Sequence, residues 1–221
     1  MKKSRPNLGA RTGTLVAALA AALLLPACAP LVLGGAAVGG VLVYKDRRSS
    51  GTQLDDQTIE LKSLGALTPG VGDRGHINVT AYNRVVLLSG EVPTAADRQA
   101  AQQAMEKLEL VRSVVNELNV GPASSLSERA SDALVTTKVK ATLIDDAKVE
   151  GHAVKVVTER GTVYLMGRLT PAELDKATQL TRTISGVKRV VRVAETISEE
   201  ELAALRASQA AAPAEDRRPA P

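Results

Sequence analysis

From residue 76 the chain alternates apolar and polar positions in the stretch HINVTAYNRVVLLSGEV. Ile77, Val79 and Ala81 fall on one side of an extended chain, the period-two pattern of a half-buried strand. Asn83-Arg84 interrupts the pattern with turn chemistry before a second apolar run, which predicts a hairpin. The same pattern returns from Ala153 as AVKVVTERGTVYLMGRL, with Val154, Val156 and Thr158 alternating ahead of a turn at Arg160-Gly161. Each hairpin is followed by a polar, Ala-rich stretch of helical character, 94–109 and 171–185, and then by a Val-rich strand starting at Val111 or Val187. Pro171 suits a first helical turn, Thr170 an N-cap, and Glu173 the third position of a capping box. A further helix is predicted ahead of each hairpin, Asp55 to Leu67 and Ser127 to Ile144. The element order is therefore αββαβ, written twice.

The two copies align residue for residue. At an offset of 77, Ile77 matches Val154, Val79 matches Val156, Val86 matches Val163, Leu88 matches Leu165 and Gly90 matches Gly167; the closing strands VRSVVNELNV and VKRVVRVAET match at an offset of 76. This predicts a duplicated α+β fold, each copy a three-stranded mixed sheet with two helices on one face. At roughly 70 residues, each copy is near the lower limit for an independent core, so the two are expected to pack together. The expected boundaries are 52–121 and 127–197 with a linker at 122–126, and a tail at 198–221. That tail opens as a short helix with Glu199, Glu200 and Glu201 in its first turn and passes into Ala, Pro and charge.

The N-terminus follows a different logic. Lys2, Lys3, Arg5 and Arg11 precede an apolar run from Thr14 to Leu25, and small residues follow it. A basic region, a short apolar region and a small-residue break form a secretory signal peptide, here 1–27. The run is well short of the roughly 20 residues that span a bilayer as a helix. Cys28 is the sole cysteine and has no partner within the chain for a disulfide. Leu25-Pro26-Ala27-Cys28 resembles the lipobox of bacterial lipoproteins, with Pro26 departing from the commonest residue. That resemblance implies cleavage before Cys28, a diacylglycerol on its sulfur and an acyl chain on its new amine. Ala29, rather than Asp, follows the cysteine, and the sorting rule of such lipoproteins then implies the outer membrane with the folded part in the periplasm. Residues 28–51 are expected to form a tether, apolar but glycine-broken from 29 to 43.

Charge is read after the leader is removed. Lys plus Arg falls from 28 to 24 and Asp plus Glu stays at 24, so the mature chain is formally neutral. Residues 52–121 carry six basic and nine acidic groups; residues 126–197 carry twelve and nine. An anionic partner is therefore sought at the second copy. There is no Trp or Phe, which removes the stacking platforms used for single-stranded nucleic acid.

Candidate chemistry is sparse. His76 and His152 sit just before predicted strands without cysteine or carboxylate at metal-ligand spacing. Asp55-Asp56 is read as helix capping and Asp145-Asp146 as a turn. No glycine loop precedes a strand–helix turn with a lysine. No enzyme activity, nucleic acid or small-molecule substrate is expected, and no cofactor beyond the acyl groups on Cys28.

The αββαβ order, VVLLSGEV and VYLMGRLT with their glycine, and the closing VRSVVNEL and VKRVVRV resemble the BON domain family over about residues 48–197. In that family the first helix of a second domain is implicated in binding anionic phospholipid, and its counterpart here is Ser127 to Asp146. Val135, Val139 and Leu143 form its core stripe. Leu134, with Ala130, Thr137, Lys138 and Ala141, lies about 100° around from Val135, and Ile144 lies near its end. Leu134, Thr137, Lys138, Ala141 and Ile144 are the lipid-binding candidates. Packing of this stripe on the first domain, or a lone surface leucine, is the alternative. The family carries an aromatic residue where this chain has Leu134. The resemblance implies a lipid-binding outer-membrane lipoprotein that supports envelope integrity and gathers at division sites. The competing expectation is an adaptor that docks to envelope-assembly or peptidoglycan machinery without recognising lipid headgroups.

Overall fold

The computed structural model describes residues 46–211 apart from 68, 69 and 73. Cys28, the tether up to residue 45 and the tail beyond 211 lie outside the described residues. The first repeat comprises α1 (Ser50–Leu67), β1 (His76–Tyr82), β2 (Val85–Val92), α2 (Ala95–Glu106), β3 (Ser113–Asn116) and β4 (Asn119–Val120). The second comprises α3 (Leu126–Asp145), a 3₁₀ turn at Gly151–Ala153, β5 (Val154–Glu159), β6 (Thr162–Leu169), α4 (Pro171–Arg182), β7 (Arg189–Arg192) and β8 (Glu195–Thr196). A last helix, α5 (Glu199–Ala211), follows.

The α+β class and the αββαβ order match the sequence reading, with one difference. The closing strand of each repeat is broken in two, so each sheet has four strand segments rather than three. The register is the same on both sides of the break: Ser113 lies opposite Val85 and Asn119 opposite Glu91, both parallel. The break falls beside Gly90, whose φ of 111° turns β2 away from regular extended geometry. Leu118 is buried at the interruption, within the core formed under α1 and α2.

Both hairpins are antiparallel and close at the predicted turns. Asn83 and Arg84 have φ of 51° and 64°, and Arg160 and Gly161 have 51° and 76°, the left-handed pair that matches the strand twist in a two-residue loop. A buried carboxylate from the preceding helix holds each turn. Asp56 accepts from the backbone N–H of Asn83 and of Arg84, both at 2.7 Å; Asp132 accepts from Arg160 N at 2.7 Å and Gly161 N at 2.9 Å. Asp56 therefore does not cap α1, as the sequence suggested. It lies inside a helix that starts at Ser50, where the Ser49 hydroxyl accepts from the Thr52 N–H. The predicted capping box at Thr170 and Glu173 is present, and a second one at Ser125 and Glu128 starts α3.

Two cores lie between helices and sheets: Ile59, Leu67, Val86, Leu88, Ala101 and Met105 in the first repeat, and Val135, Val139, Leu143, Val163, Leu165 and Ala177 in the second. A third joins the repeats. Tyr82 and Leu87 meet Tyr164 and Met166, with Val115, Val157, Val191 and Val193 around them. Residues alternate across a strand, so Leu87 faces away from Val86 and Leu88, and Tyr164 away from Val163 and Leu165. The repeats thus pack sheet on sheet, with helices on both outer faces. Polar pairs frame this interface: Asn78 to Glu159 at 2.8 Å, Lys155 to Glu60 at 2.9 Å, Arg112 to Glu195 at 2.7 Å and Arg189 to Glu117 at 2.7 Å.

Candidate membrane-facing surface

The sequence of α3 fixes which side it buries. Asp132, Val135, Val139 and Leu143 are its buried residues, and they look onto β5 and the turn after it. At about 100° per residue, Ala130, Leu134, Thr137, Ala141 and Ile144 lie on the opposite side. All five are exposed, with Leu134 64% and Ile144 50% accessible. The stripe therefore does not pack on the first repeat. Thr137 donates its hydroxyl to the Ala133 carbonyl at 3.0 Å, which satisfies that polar group within the helix.

Lys138 borders the stripe on one side. Lys140 borders it on the other, and Leu126, 82% accessible, extends it to the first residue of the helix. The sequence reading singled out neither; placing every residue from 126 to 144 on one wheel would have found both. Among the described residues, Lys138 and Lys140 form no ion pair. An aliphatic strip between two unpaired ammonium groups is the arrangement of a helix lying in a headgroup layer, with lysines snorkelling to phosphate level.

The chain that leads toward Cys28 enters the body beside the C-terminal end of this helix. Arg47, in the stretch read as tether, is buried and makes a two-pronged pair with Glu173 at 2.6 and 2.7 Å. It also donates to Glu150 at 2.9 Å and to the Arg168 carbonyl at 2.7 Å. Burial pushes the Glu173 carboxyl up, but Arg47 and the Thr170 N–H outweigh it and hold that group below the usual range. Glu150 behaves alike between Arg47 and Arg206. On α5, Gln209 donates to the Asp46 carbonyl at 2.9 Å, and Glu201 pairs with Arg168. Arg48 stacks over Tyr82 at 4.2 Å and reaches Asp56 at 2.6 Å. Residues 46–51 thus belong to the folded body rather than to the tether expected over 28–51. Glu150 and Gln209, the partners of Arg47 and Asp46, also line a cleft of about 390 Å³ with Ile144, Val149, His152 and Arg206.

Among the described residues no group of three His, Cys, Asp or Glu is placed to hold a metal ion, and no helix is long and apolar enough to cross a membrane. His76 is half-buried at the inter-repeat edge, 3.9 Å from Glu159. Burial first, then the nearby Arg129, lower its pKa. Cys28 lies outside the described residues, so the structure does not locate it.

Comparison with known proteins decides the family. The BON domain family matches residues 55–122 and 131–196, one match for each repeat. The chain belongs to the BON domain family. Each BON domain match covers one complete hairpin with both of its helices, α1 and α3 being entered a few residues past their first turn. The chain is 37% identical over 177 residues to the outer membrane lipoprotein DolP of Haemophilus influenzae, covering 79% of this chain and 91% of that protein. It is 35% identical over 150 residues to a 21 kDa hemolysin of Actinobacillus pleuropneumoniae, covering 67% and 77%. It is 33% identical over 155 residues to the osmotically-inducible protein Y of Escherichia coli, covering 68% and 77%.

Proposed function

We propose that this dual-BON protein is a lipoprotein of the outer membrane, anchored by acyl groups on Cys28 and facing the periplasm. The outer face of α3 rests on the lipid headgroups and favours anionic ones. The protein acts without catalysis and contributes to envelope integrity, with division sites as a place of action. The observation that carries the lipid reading is the stripe Leu126, Leu134, Ala141 and Ile144 between Lys138 and Lys140, whose Ile144 end lies near the entry of the chain at Asp46. The similarity to a named outer membrane lipoprotein supports the location.

The energetics divide the work. The 17 residues 29–45 span at most about 60 Å whatever their conformation, which keeps α3 at an effective concentration on the order of millimolar beside the bilayer. Two lysines add about 1 kcal/mol each at an anionic surface. The acyl groups therefore set residence on the membrane, and α3 sets orientation and lipid preference.

Flotation of a chain lacking residues 1–28 tests this. It is expected to float with phosphatidylglycerol vesicles at low salt. Leu134→Glu reduces binding at least tenfold without lowering the melting temperature, and Lys138→Gln with Lys140→Gln reduces it about 30-fold, the equivalent of two surface charges. Equal flotation of Leu134→Glu and wild type, or none at low salt, contradicts the reading.

A further inference from the structure

The first BON domain carries a second apolar stripe, on α1. Leu54, Leu61 and Leu64 are 64%, 71% and 67% accessible; Leu54 and Leu61 lie on the side of the helix away from the buried Asp56, Ile59, Ser63 and Leu67, and Leu64 lies on its flank. With Gln57 they fall at 54, 57, 61 and 64, the alternating three- and four-residue spacing by which one helix meets another along a seam. Gly65 lies beside Leu61 on the same side. A glycine within a helix costs about 1 kcal/mol relative to alanine. Among the described residues nothing requires it, because a Cβ built there meets no atom of theirs within 4 Å. Space above a glycine, flanked by leucines, is where the backbone of a second helix approaches closely.

We infer that the α1 seam Leu54–Gln57–Leu61–Leu64, with Gly65, is a docking surface for an amphipathic helix of another protein on the periplasmic side. The choice of a protein over lipid comes from the sheet-on-sheet packing. Because α1 and α3 cover opposite outer faces, a bilayer beneath α3 leaves the α1 seam pointing away from it; this step rests on the lipid reading above. The same geometry disfavours a second copy on the same membrane. Two copies lying on α3 present their α1 seams in parallel, both away from the bilayer, and the seams cannot face each other. The seam is one helix wide, and three leucines offer far less than the roughly 800 Å² per partner of a stable folded-domain interface. That favours a single helix laid along the seam. Asp55 and Glu60 are already engaged, by Arg84 and by Lys155, so the seam selects its partner helix by apolar contact rather than by charge.

The test is photocrosslinking in the protein's own cells, using the full chain with a photoreactive amino acid at Leu61 and, as control, at Arg182 on α4. The expected result is an adduct at Leu61 alone, whose cross-linked peptide is, by mass spectrometry, an amphipathic helical segment of another protein. A synthetic peptide of that segment should bind the purified chain at least tenfold more tightly than it binds Leu61→Glu or Gly65→Leu. Leu134→Glu should bind it as wild type does, which separates this result from the lipid reading. Adducts only to phospholipid or to a second copy, no adduct above the control, or a peptide that binds Leu61→Glu equally overturns the inference.

Discussion

Gly90→Ala is expected to lower the free energy of unfolding by about 4 kcal/mol, the sum of strained backbone and forced overlap. A Cβ on Gly90 falls 2.0 Å from the His76 carbonyl oxygen and 3.0 Å from its carbon, and both atoms are backbone of the paired strand β1. No rotamer change relieves that contact. The φ of 111° adds a second penalty, since residues with side chains rarely adopt it. Gly167 repeats the arrangement with 2.7 Å to the Ala153 oxygen, so Gly167→Ala is expected to cost less. Gly65→Ala provides the opposite sign, a gain of about 1 kcal/mol from helix propensity in open space. Urea denaturation of the three variants ranks them. A Gly90→Ala protein within about 1 kcal/mol of wild type contradicts the close-approach explanation of this glycine.

Arg47→Met is expected to destabilise by about 3–5 kcal/mol, the usual result of removing one partner from a buried ion pair. Glu173 is left nine-tenths buried with its carboxylate facing the vacated guanidinium position. Arg47→Lys recovers only part, because an ammonium cannot make the two-pronged contact. Combining Arg47→Met with Glu173→Gln is expected to recover more than Arg47→Lys, because no uncompensated charge remains. The loss also depends on pH. Glu173 and Glu150 are held below their ordinary value of 4.5, so their stabilisation is fully present above that pH and is lost as pH falls through the depressed values. Wild type and Arg47→Met should therefore draw together in melting temperature as pH falls below 4.5 and through those depressed values. Glu159 runs the other way. Burial raises its pKa, with Glu91 and Asp132 adding to the shift against Asn78, so its penalty grows as pH rises through the raised value. A gap between wild type and Arg47→Met that stays constant from pH 7 to pH 3 contradicts the assigned role of Arg47.

Much of the fold was legible because local chemistry and periodicity agreed. The two hairpins follow from alternation plus turn residues, α4 from Thr170, Pro171 and Glu173, and the outward stripe of α3 from its spacing. What escaped depends on residues far apart in sequence. Arg47 reads as one more basic residue before a polar stretch, and its acceptors lie more than 100 positions away. Asp56 reads as a helix-end carboxylate; its partners are backbone groups of a turn 27 and 28 residues on. The sheet-on-sheet packing left a trace that was available: VVLL and VYLM are apolar on both faces, which is the mark of a central strand covered on both sides. The break in the closing strand left none, because Leu118 and Ala194 look like ordinary members of Val-rich runs.

The two stripes now define a molecule with two distinct outer faces. One is aliphatic and basic, and its C-terminal end lies near Asp46, where the described chain begins. The other is a leucine seam on the far side of the sheet sandwich. On the function proposed above, such a molecule holds a partner on the face turned away from the lipid.

The anchor proposed at Cys28 underlies the membrane reading, and intact-protein and peptide mass spectrometry of material extracted from membranes tests it directly. The account predicts an N-terminal peptide that starts at Cys28 and carries a diacylglyceryl group on sulfur and an acyl chain on nitrogen. A chain that still begins at Met1, or a Cys28 peptide with a free thiol, contradicts it.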